Sequence, residues 1–292
     1  MVASVPLVLT FVRVPAAISY ECQNRDTSEL IGLSMVSIFL RSLIYNVLFY
    51  LLLICWLIVA IPTFLMPRSG IVTVAQLWSR QNTWLLRVIC NVKVEYRGVE
   101  KIPEGPLLVA SKHQSMWETF ALLQRFDQPL YILKRELTRI PFFGWYLIKA
   151  GMIAVDRRAG GRALLKMVRQ ASEEVRVGGR QLIIFPEGTR RPVGAPPAYK
   201  PGVAQLYASC RVSCLPVALN SGLFWPRRTF MRYPGTLVVE FLDPVPPGLP
   251  RDEFLARIAT TIEDATARLV EAGRREQAQL FNRAENSASA KA

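Results

Sequence analysis

Between Arg41 and Arg68 the chain carries no charged residue. Residues 42–67, SLIYNVLFYLLLICWLIVAIPTFLMP, form one uninterrupted apolar run. The part from Ser42 to Ile61, before Pro62, would make about 30 Å of helix, the thickness of a bilayer's hydrocarbon core. The run predicts a membrane-associating helix, with a buried core helix as the bland alternative. Residues 71–90 follow the Pro67–Gly70 break and mix Trp78, Trp84 and leucines with Arg80, Arg87 and Gln81. That pattern suits an interfacial helix. Either the first helix spans the bilayer, or both form a hairpin dipped into one leaflet. Residues 1–34 show no clear periodicity and precede Met35, a second candidate start, so they stand as an uncertain leader.

From residue 91 the pattern changes to short apolar runs alternating with helical segments, as in an α/β domain. Strands are expected at 92–96, 107–110, 130–133, 152–155, 181–185, 214–219 and 237–241. Helices are expected at 116–125, 162–177 closed by Gly178-Gly179, and 202–209. Another is expected at 251–271, with Phe254, Ile258, Ile262 and Leu269 on one stripe and Gly273 ending it. The division is therefore an uncertain leader at 1–34, membrane-associating helices at 35–90, one α/β domain at 91–275 and a flexible tail at 276–292.

Composition narrows the partners. Apolar residues make up 51% of the chain, which excludes a disordered protein. Lysine and arginine total 36 against 22 acidic residues, a net charge of +14. Such a charge favours nucleic acid, acidic membrane or phosphorylated ligands. Five scattered cysteines give no disulfide framework and suit a reducing compartment. With a single histidine, a Cys/His zinc site is a poor fit, and imidazole chemistry falls to His113. No Gly-x-Ser-x-Gly elbow, Walker loop or dinucleotide fingerprint is present.

Four stretches carry candidate chemistry. In Lys112-His113-Gln-Ser-Met-Trp-Glu118 the histidine follows an apolar strand and precedes a helix. Within one helix, positions i and i+5 point about 140° apart. If His113 lies before the helix and Ser115 is its N-cap, Glu118 falls in the first turn and reaches back to the ring. A carboxylate on one ring nitrogen leaves the other as a general base. The same residues also read as a capping box, which needs no catalysis. Phe185-Pro-Glu187-Gly188-Thr189-Arg190-Arg191 lies where a strand ends, the place where open α/β sheets bind ligands. Gly151…Asp156-Arg157-Arg158 delivers a cation cluster, or a surface ion pair. Lys134-Arg135-Glu-Leu, followed by Ile140-Pro-Phe-Phe-Gly144-Trp145, either holds a phosphate above a lipid-facing surface or simply packs.

In these stretches the chain resembles the glycerolipid acyltransferase family, bacterial members above all. That family has a His-x4-Asp motif, a Gly…Asp-Arg motif, a Phe-Pro-Glu-Gly-Thr-Arg motif and a proline-bearing strand. Here they read His113…Glu118, Gly151…Asp156-Arg157, Phe185…Arg190 and Leu215-Pro216-Val217. Glu118 stands where the family usually has aspartate. The resemblance covers roughly residues 40–270. It implies a mixed-sheet α/β acyltransferase domain at 91–275, behind a two-helix hydrophobic membrane element.

The resemblance also implies acyl transfer from a thioester to the sn-2 hydroxyl of 1-acylglycerol-3-phosphate (lysophosphatidate), giving phosphatidic acid for phospholipid synthesis. His113 would be the base and Glu118 its orienting partner. Lys134, Arg157 and Arg190 would hold the acceptor phosphate, in a pocket shaped by Glu187, Gly188 and Thr189. It implies no metal, no bound cofactor and no nucleic-acid partner; the co-substrate is acyl-CoA or acyl carrier protein, and the bilayer is a partner. The expected location is the bacterial inner membrane with the catalytic domain on the cytoplasmic side, and the arginines at 68, 80 and 87 point the same way. Two alternatives stay open: another acceptor (a lyso-ornithine lipid, a lysophospholipid or glycerol-3-phosphate), or a basic membrane-binding module without catalysis.

Overall fold

The computed structural model describes residues 25–156 and 160–289; side chains are described for 35–156 and 164–282. The long helices α1 (Arg25–Val59) and α2 (Arg68–Cys90) come first, joined by a 3-10 turn, Ile61–Leu65. The α/β part then runs β1 (Val92–Arg97), β2 (Leu107–Ser111), α3 (Trp117–Ala121), β3 (Pro129–Lys134), α4 (Phe143–Lys149), β4 (Ile153–Val155) and α5 (Gly160–Arg176). It ends with β5 (Gln181–Ile184), α6 (Gly202–Cys210), β6 (Cys214–Leu219), α7 (Ser221–Phe224), β7 (Gly235–Phe241) and α8 (Arg251–Ser289). The strands form one sheet in the order β1-β7-β6-β2-β5-β3-β4. All neighbours are parallel except the antiparallel pair β6 and β7, so the sheet is mixed, as expected.

Both faces of the sheet are covered, and the period-2 alternation of a strand divides its residues between them. Leu107 and Val109 of β2 join one core with α1, α2 and α3. Leu108 and Ala110 join the other, with α5, α6 and α8. Buried on both sides, β2 reads as the continuous apolar run of a central parallel strand.

The apolar run is more than a lipid-facing rod. Ile38, Tyr45, Phe49 and Ala60 of the α1 segment are buried, and Tyr45 and Phe49 belong to the sheet's own core. Its polar residues face the domain as well. Ser42 Oγ accepts the Arg232 N–H at 2.8 Å, and Asn46 Oδ1 accepts Arg232 Nη2 at 2.9 Å. The opposite face leaves Leu40, Leu43, Val47, Leu51, Ile54 and Ile58 uncovered. Met35–Leu65 is long and apolar enough to cross a membrane. The helix starts at Arg25, well before the boundary expected at Met35; residues 1–24 of the expected leader lie outside the described residues.

Other helix ends differ from expectation as well. The stretch 116–125 is α-helical only to Ala121 and closes as a 3-10 turn, Leu122–Arg125. The last helix does not stop at Gly273 but continues to Ser289, through part of the expected flexible tail. Gly273 is buried, and a Cβ there would lie 2.8 Å from Leu223 Cδ1 and 3.1 Å from Asn220 Nδ2. The glycine therefore serves a close approach of α8 to the turn after β6, and the Ala-, Glu-, Gln- and Arg-rich sequence beyond it has ample helix propensity. Gly178-Gly179 does end α5, with Gly179 at φ +66°.

The expected stretch 134–145 forms a 3-10 turn and α4, which docks on the tip of the apolar hairpin. Tyr146 OH donates to Leu57 O at 2.6 Å, and the Tyr146 and Phe64 rings stack at 4.9 Å. Phe142, Trp145 and Ile148 stay exposed and extend the apolar surface. A Cβ on Gly144 would sit 2.3 Å from the Thr138 carbonyl oxygen, a backbone atom. Gly144→Ala is therefore expected to lower the unfolding free energy by about 1–3 kcal/mol, the usual cost of overpacking. A denaturant midpoint equal to wild type would show that the turn yields freely.

Candidate active site

β2, β3, β4, β5 and β6 run parallel, so their C-terminal ends share one edge of the sheet. All four stretches singled out in the sequence leave the sheet at that edge, where such folds collect ligand-binding groups.

After β2 the chain turns into α3, and the turn is organised around one carboxylate. Glu118 Oε1 lies 3.0 Å from His113 Nδ1 and accepts the backbone N–H groups of Gln114 at 2.7 Å and Ser115 at 2.6 Å. Its Oε2 accepts Ser221 Oγ–H from α7 at 2.9 Å. The Glu118 side chain is fully buried. With the carboxylate as acceptor, Nδ1 carries the proton and Nε2 keeps its lone pair. The two readings of the sequence, orienting carboxylate and capping box, meet in Glu118, but the box is only half formed because Ser115 Oγ takes the Trp117 N–H and not that of Glu118. Glu118 bonds the Ser115 N–H while Ser115 Oγ accepts the Trp117 N–H at 3.2 Å, and the same Oε1 holds the ring. The helix begins at Trp117 with Met116 at its cap position, one residue later than expected.

The His113 ring lies flat on Phe185, with centroids 3.9 Å apart and planes 17° from parallel, and Tyr131 backs Phe185 at 6.3 Å. The ring is fixed on one face by stacking and at Nδ1 by Glu118. Only 12% of its side chain is exposed.

Glu187, expected to shape a phosphate pocket, lies beneath the turn instead. It is buried, its Oε1 accepts Lys112 Nζ at 2.9 Å, and its Oε2 accepts the His113 N–H at 2.9 Å. A carboxylate facing a phosphate would repel it; turned inward, it ties the loop after β5 to the loop after β2. Lys112 Nζ also meets Glu263 Oε1 of α8 at 2.6 Å, and Tyr199 OH donates to that oxygen at 3.0 Å. Burial, with Glu263 second, pushes the Tyr199 hydroxyl pKa far up, so it remains a donor. The sequence reading missed Lys112 as a structural cation, although it precedes the only histidine.

Gly188 sits at φ +66°, a conformation glycine adopts without steric cost. Its N–H closes a turn to Phe185 O at 2.9 Å. Thr189 is exposed and Arg190 half-buried. The loop is tied back by the Arg191 N–H to His113 O at 2.8 Å and by Arg227 Nη1 to Arg190 O at 2.8 Å. Arg190 lines a cleft of about 300 Å³ that Met116, Tyr50 and Arg228 also line. Lys134 ends β3 and is exposed, with β5 between its strand and β2. Two strand spacings put it about 10 Å from the axis of β2. It does not line that cleft. Arg157 lies outside the described residues. Ser221 and Arg228 carried no signal in sequence, because each meets the site from more than 100 positions downstream of His113.

Comparison with known proteins shows the family and the fold. The acyltransferase family model matches residues 93–220. The chain is 41% identical over 202 residues to the 1-acyl-sn-glycerol-3-phosphate acyltransferase of Pseudomonas aeruginosa, covering 67% of this chain and 78% of that one. It is 30% identical to the human 1-acyl-sn-glycerol-3-phosphate acyltransferase alpha, over 59% of this chain and 62% of that one. The crystal structure of the 1-acyl-sn-glycerophosphate (LPA) acyltransferase PlsC from Thermotoga maritima superposes with a TM-score of 0.65 at 22% identity. That match covers 79% of this chain and 97% of the other, and it bears on the fold.

Proposed function

The chain belongs to the 1-acyl-sn-glycerol-3-phosphate acyltransferase family, and on that premise we propose that it transfers a fatty acyl group from a thioester to the sn-2 hydroxyl of 1-acyl-sn-glycerol 3-phosphate, forming phosphatidic acid. The observation that carries the reading is the 3.0 Å contact between His113 Nδ1 and a Glu118 carboxylate locked by three further donors. His113 Nε2 takes the hydroxyl proton as the acceptor oxygen attacks the thioester carbonyl carbon. The new C–O bond forms, the C–S bond breaks, and the imidazolium returns its proton to the departing thiolate. Glu118 keeps the ring in the productive tautomer and stabilises its transient positive charge. The acyl donor, acyl-CoA or acylated carrier protein, is a co-substrate. Arg190 supplies one cation for the acceptor phosphate, and Lys134 stands at the C-terminal end of β3 on the same sheet edge. A chain of net charge +14 attracts all these anionic reactants.

The acceptor and product are lipids, and the exposed face of α1 gives the enzyme its place on a bilayer. The domain packs along this segment from Ile38 to Ala60, a span of about 33 Å at the rise of an α-helix. One face of the segment packs on α2 and the α/β domain while the other stays apolar and exposed, which supports a hairpin immersed in one leaflet. The corresponding location is the inner membrane, with the catalytic domain facing the cytoplasm.

The acceptor is tested by offering the purified protein lysophosphatidate, a lyso-ornithine lipid and glycerol-3-phosphate side by side, each with oleoyl-CoA and with oleoyl-acyl carrier protein. The expected result is a kcat/KM for lysophosphatidate at least about tenfold above the others. Preference for the lyso-ornithine lipid would keep the chemistry and replace the acceptor.

A further inference from the structure

The cleft beside Arg190 has an unusual charge pattern. It lies between Asn46 and Tyr50 of α1, Met116 of the catalytic turn and the loop 225–232 after α7. Among the described residues its charged lining is Arg190, Arg228 and Arg232, with no acidic residue.

Arg232 is committed to structure. It is buried, donates to the carbonyl oxygens of Thr229, Phe230 and Met231 and to Asn46 Oδ1, and lies 3.8 Å over the Trp225 ring. Burial lowers its pKa to about 10, with Tyr45 opposing, which still leaves it a cation at neutral pH. It fastens the loop to α1.

The other two arginines are uncommitted. Among the described residues, the guanidinium groups of Arg190 and Arg228 make no hydrogen bond or ion pair. Arg228 is exposed and sits at φ +58°. That left-handed conformation costs a non-glycine residue energy. The strained turn is braced by its neighbours: Arg227 bonds Arg190 O, and Arg232 bonds the carbonyls of residues 229–231. Next to these cations the cleft wall turns apolar. Phe230 pairs with Phe39 of α1 at 5.4 Å, and Tyr50 continues into the uncovered face of that helix. Cations at one end and a lipid-facing helix at the other match a phosphate joined to one long chain.

We propose that Arg228 is a second arm of the acceptor site: with Arg190 it grips the phosphate of a lysolipid that enters sideways from the leaflet along α1, between Tyr50 and Phe230. This rests on the acyltransferase reading. The paired guanidinium groups offer the planar, multidentate donors that a phosphate monoester accepts. The loop after α7 then reads the acceptor's charge while the loop after β2 performs the chemistry.

The test uses the full chain in micelles, with wild type, Arg228→Ala and Arg228→Lys. Arg228→Ala is expected to raise the KM for lysophosphatidate about tenfold or more. It should change kcat and the acyl-CoA KM less than threefold, and the lysine variant should recover part of the loss. With monoacylglycerol, which lacks the phosphate, the variant and wild type should perform alike. An unchanged lysophosphatidate KM, or a rise confined to acyl-CoA, overturns the proposal. Equilibrium binding of lysophosphatidate below its micelle concentration separates this idea from the enzymatic one. Binding weakened tenfold by Arg228→Ala without turnover in wild type would refute the reaction and keep the site. Equal binding by wild type and variant would refute the site whatever the turnover.

Discussion

Replacing His113 by alanine is expected to lower kcat by about 10²–10⁴-fold, the range of lost general-base catalysis. The structure makes this a clean comparison. The imidazole contributes one of the bonds to Glu118; the Gln114, Ser115 and Ser221 donors hold the carboxylate without it. The His113 backbone stays fixed by Glu187 and by the Arg191 N–H, neither of which uses the ring. Substrate KM values and the melting temperature should therefore move little while turnover collapses. A His113→Ala protein with kcat within tenfold of wild type would remove the histidine from the mechanism.

The second large effect is on stability. Lys112→Met should destabilise the protein by about 3–5 kcal/mol, because it strips the partner from a buried carboxylate. Glu187 is fully buried, and among the described residues it keeps, beyond Lys112 Nζ, only the His113 N–H. Glu263 is partly exposed and can turn to water, so the loss concentrates at Glu187. For a chain of this size the expected fall in Tm is on the order of 10 °C. Lys112→Met combined with Glu187→Gln should recover a large part of it, since a neutral amide needs no counter-charge. A single variant that melts with wild type, or a double variant no better than the single, would show that the pair is not the strut tying the two loops.

What the sequence revealed follows from the range of each interaction. The histidine and its carboxylate lie close together along the chain, so strand, turn and first helical turn bring them together by local geometry alone. The motif after β5 was visible because an apolar strand delivers it. Ser221, by contrast, completes the Glu118 shell from another strand end, and nothing near it in sequence marks it. Glu187 looked like a pocket residue because its neighbours Gly188 and Arg190 suit a ligand loop; only the fold shows Lys112 waiting behind it. The apolar run reads as lipid-embedded by composition, yet one face belongs to the core. Ser42 and Asn46 were the local hint, two polar groups one turn apart that need partners. Their partner, Arg232, bonds them as a neutral hydroxyl and amide rather than as an ion pair, so charge patterning could not have found it. Gly273 illustrates the ambiguity of a lone glycine: the same residue ends one helix and admits a neighbour in another.

The most direct test of the central claim is acyl transfer by the purified full-length protein, with labelled oleoyl-CoA as donor, lysophosphatidate as acceptor and His113→Ala as control. Phosphatidic acid with the labelled chain at sn-2, formed by wild type and reduced at least about a hundredfold in the variant, is the predicted result. Transfer that survives in the variant, or a folded wild-type protein that acylates lysophosphatidate from neither CoA nor carrier protein, would contradict it.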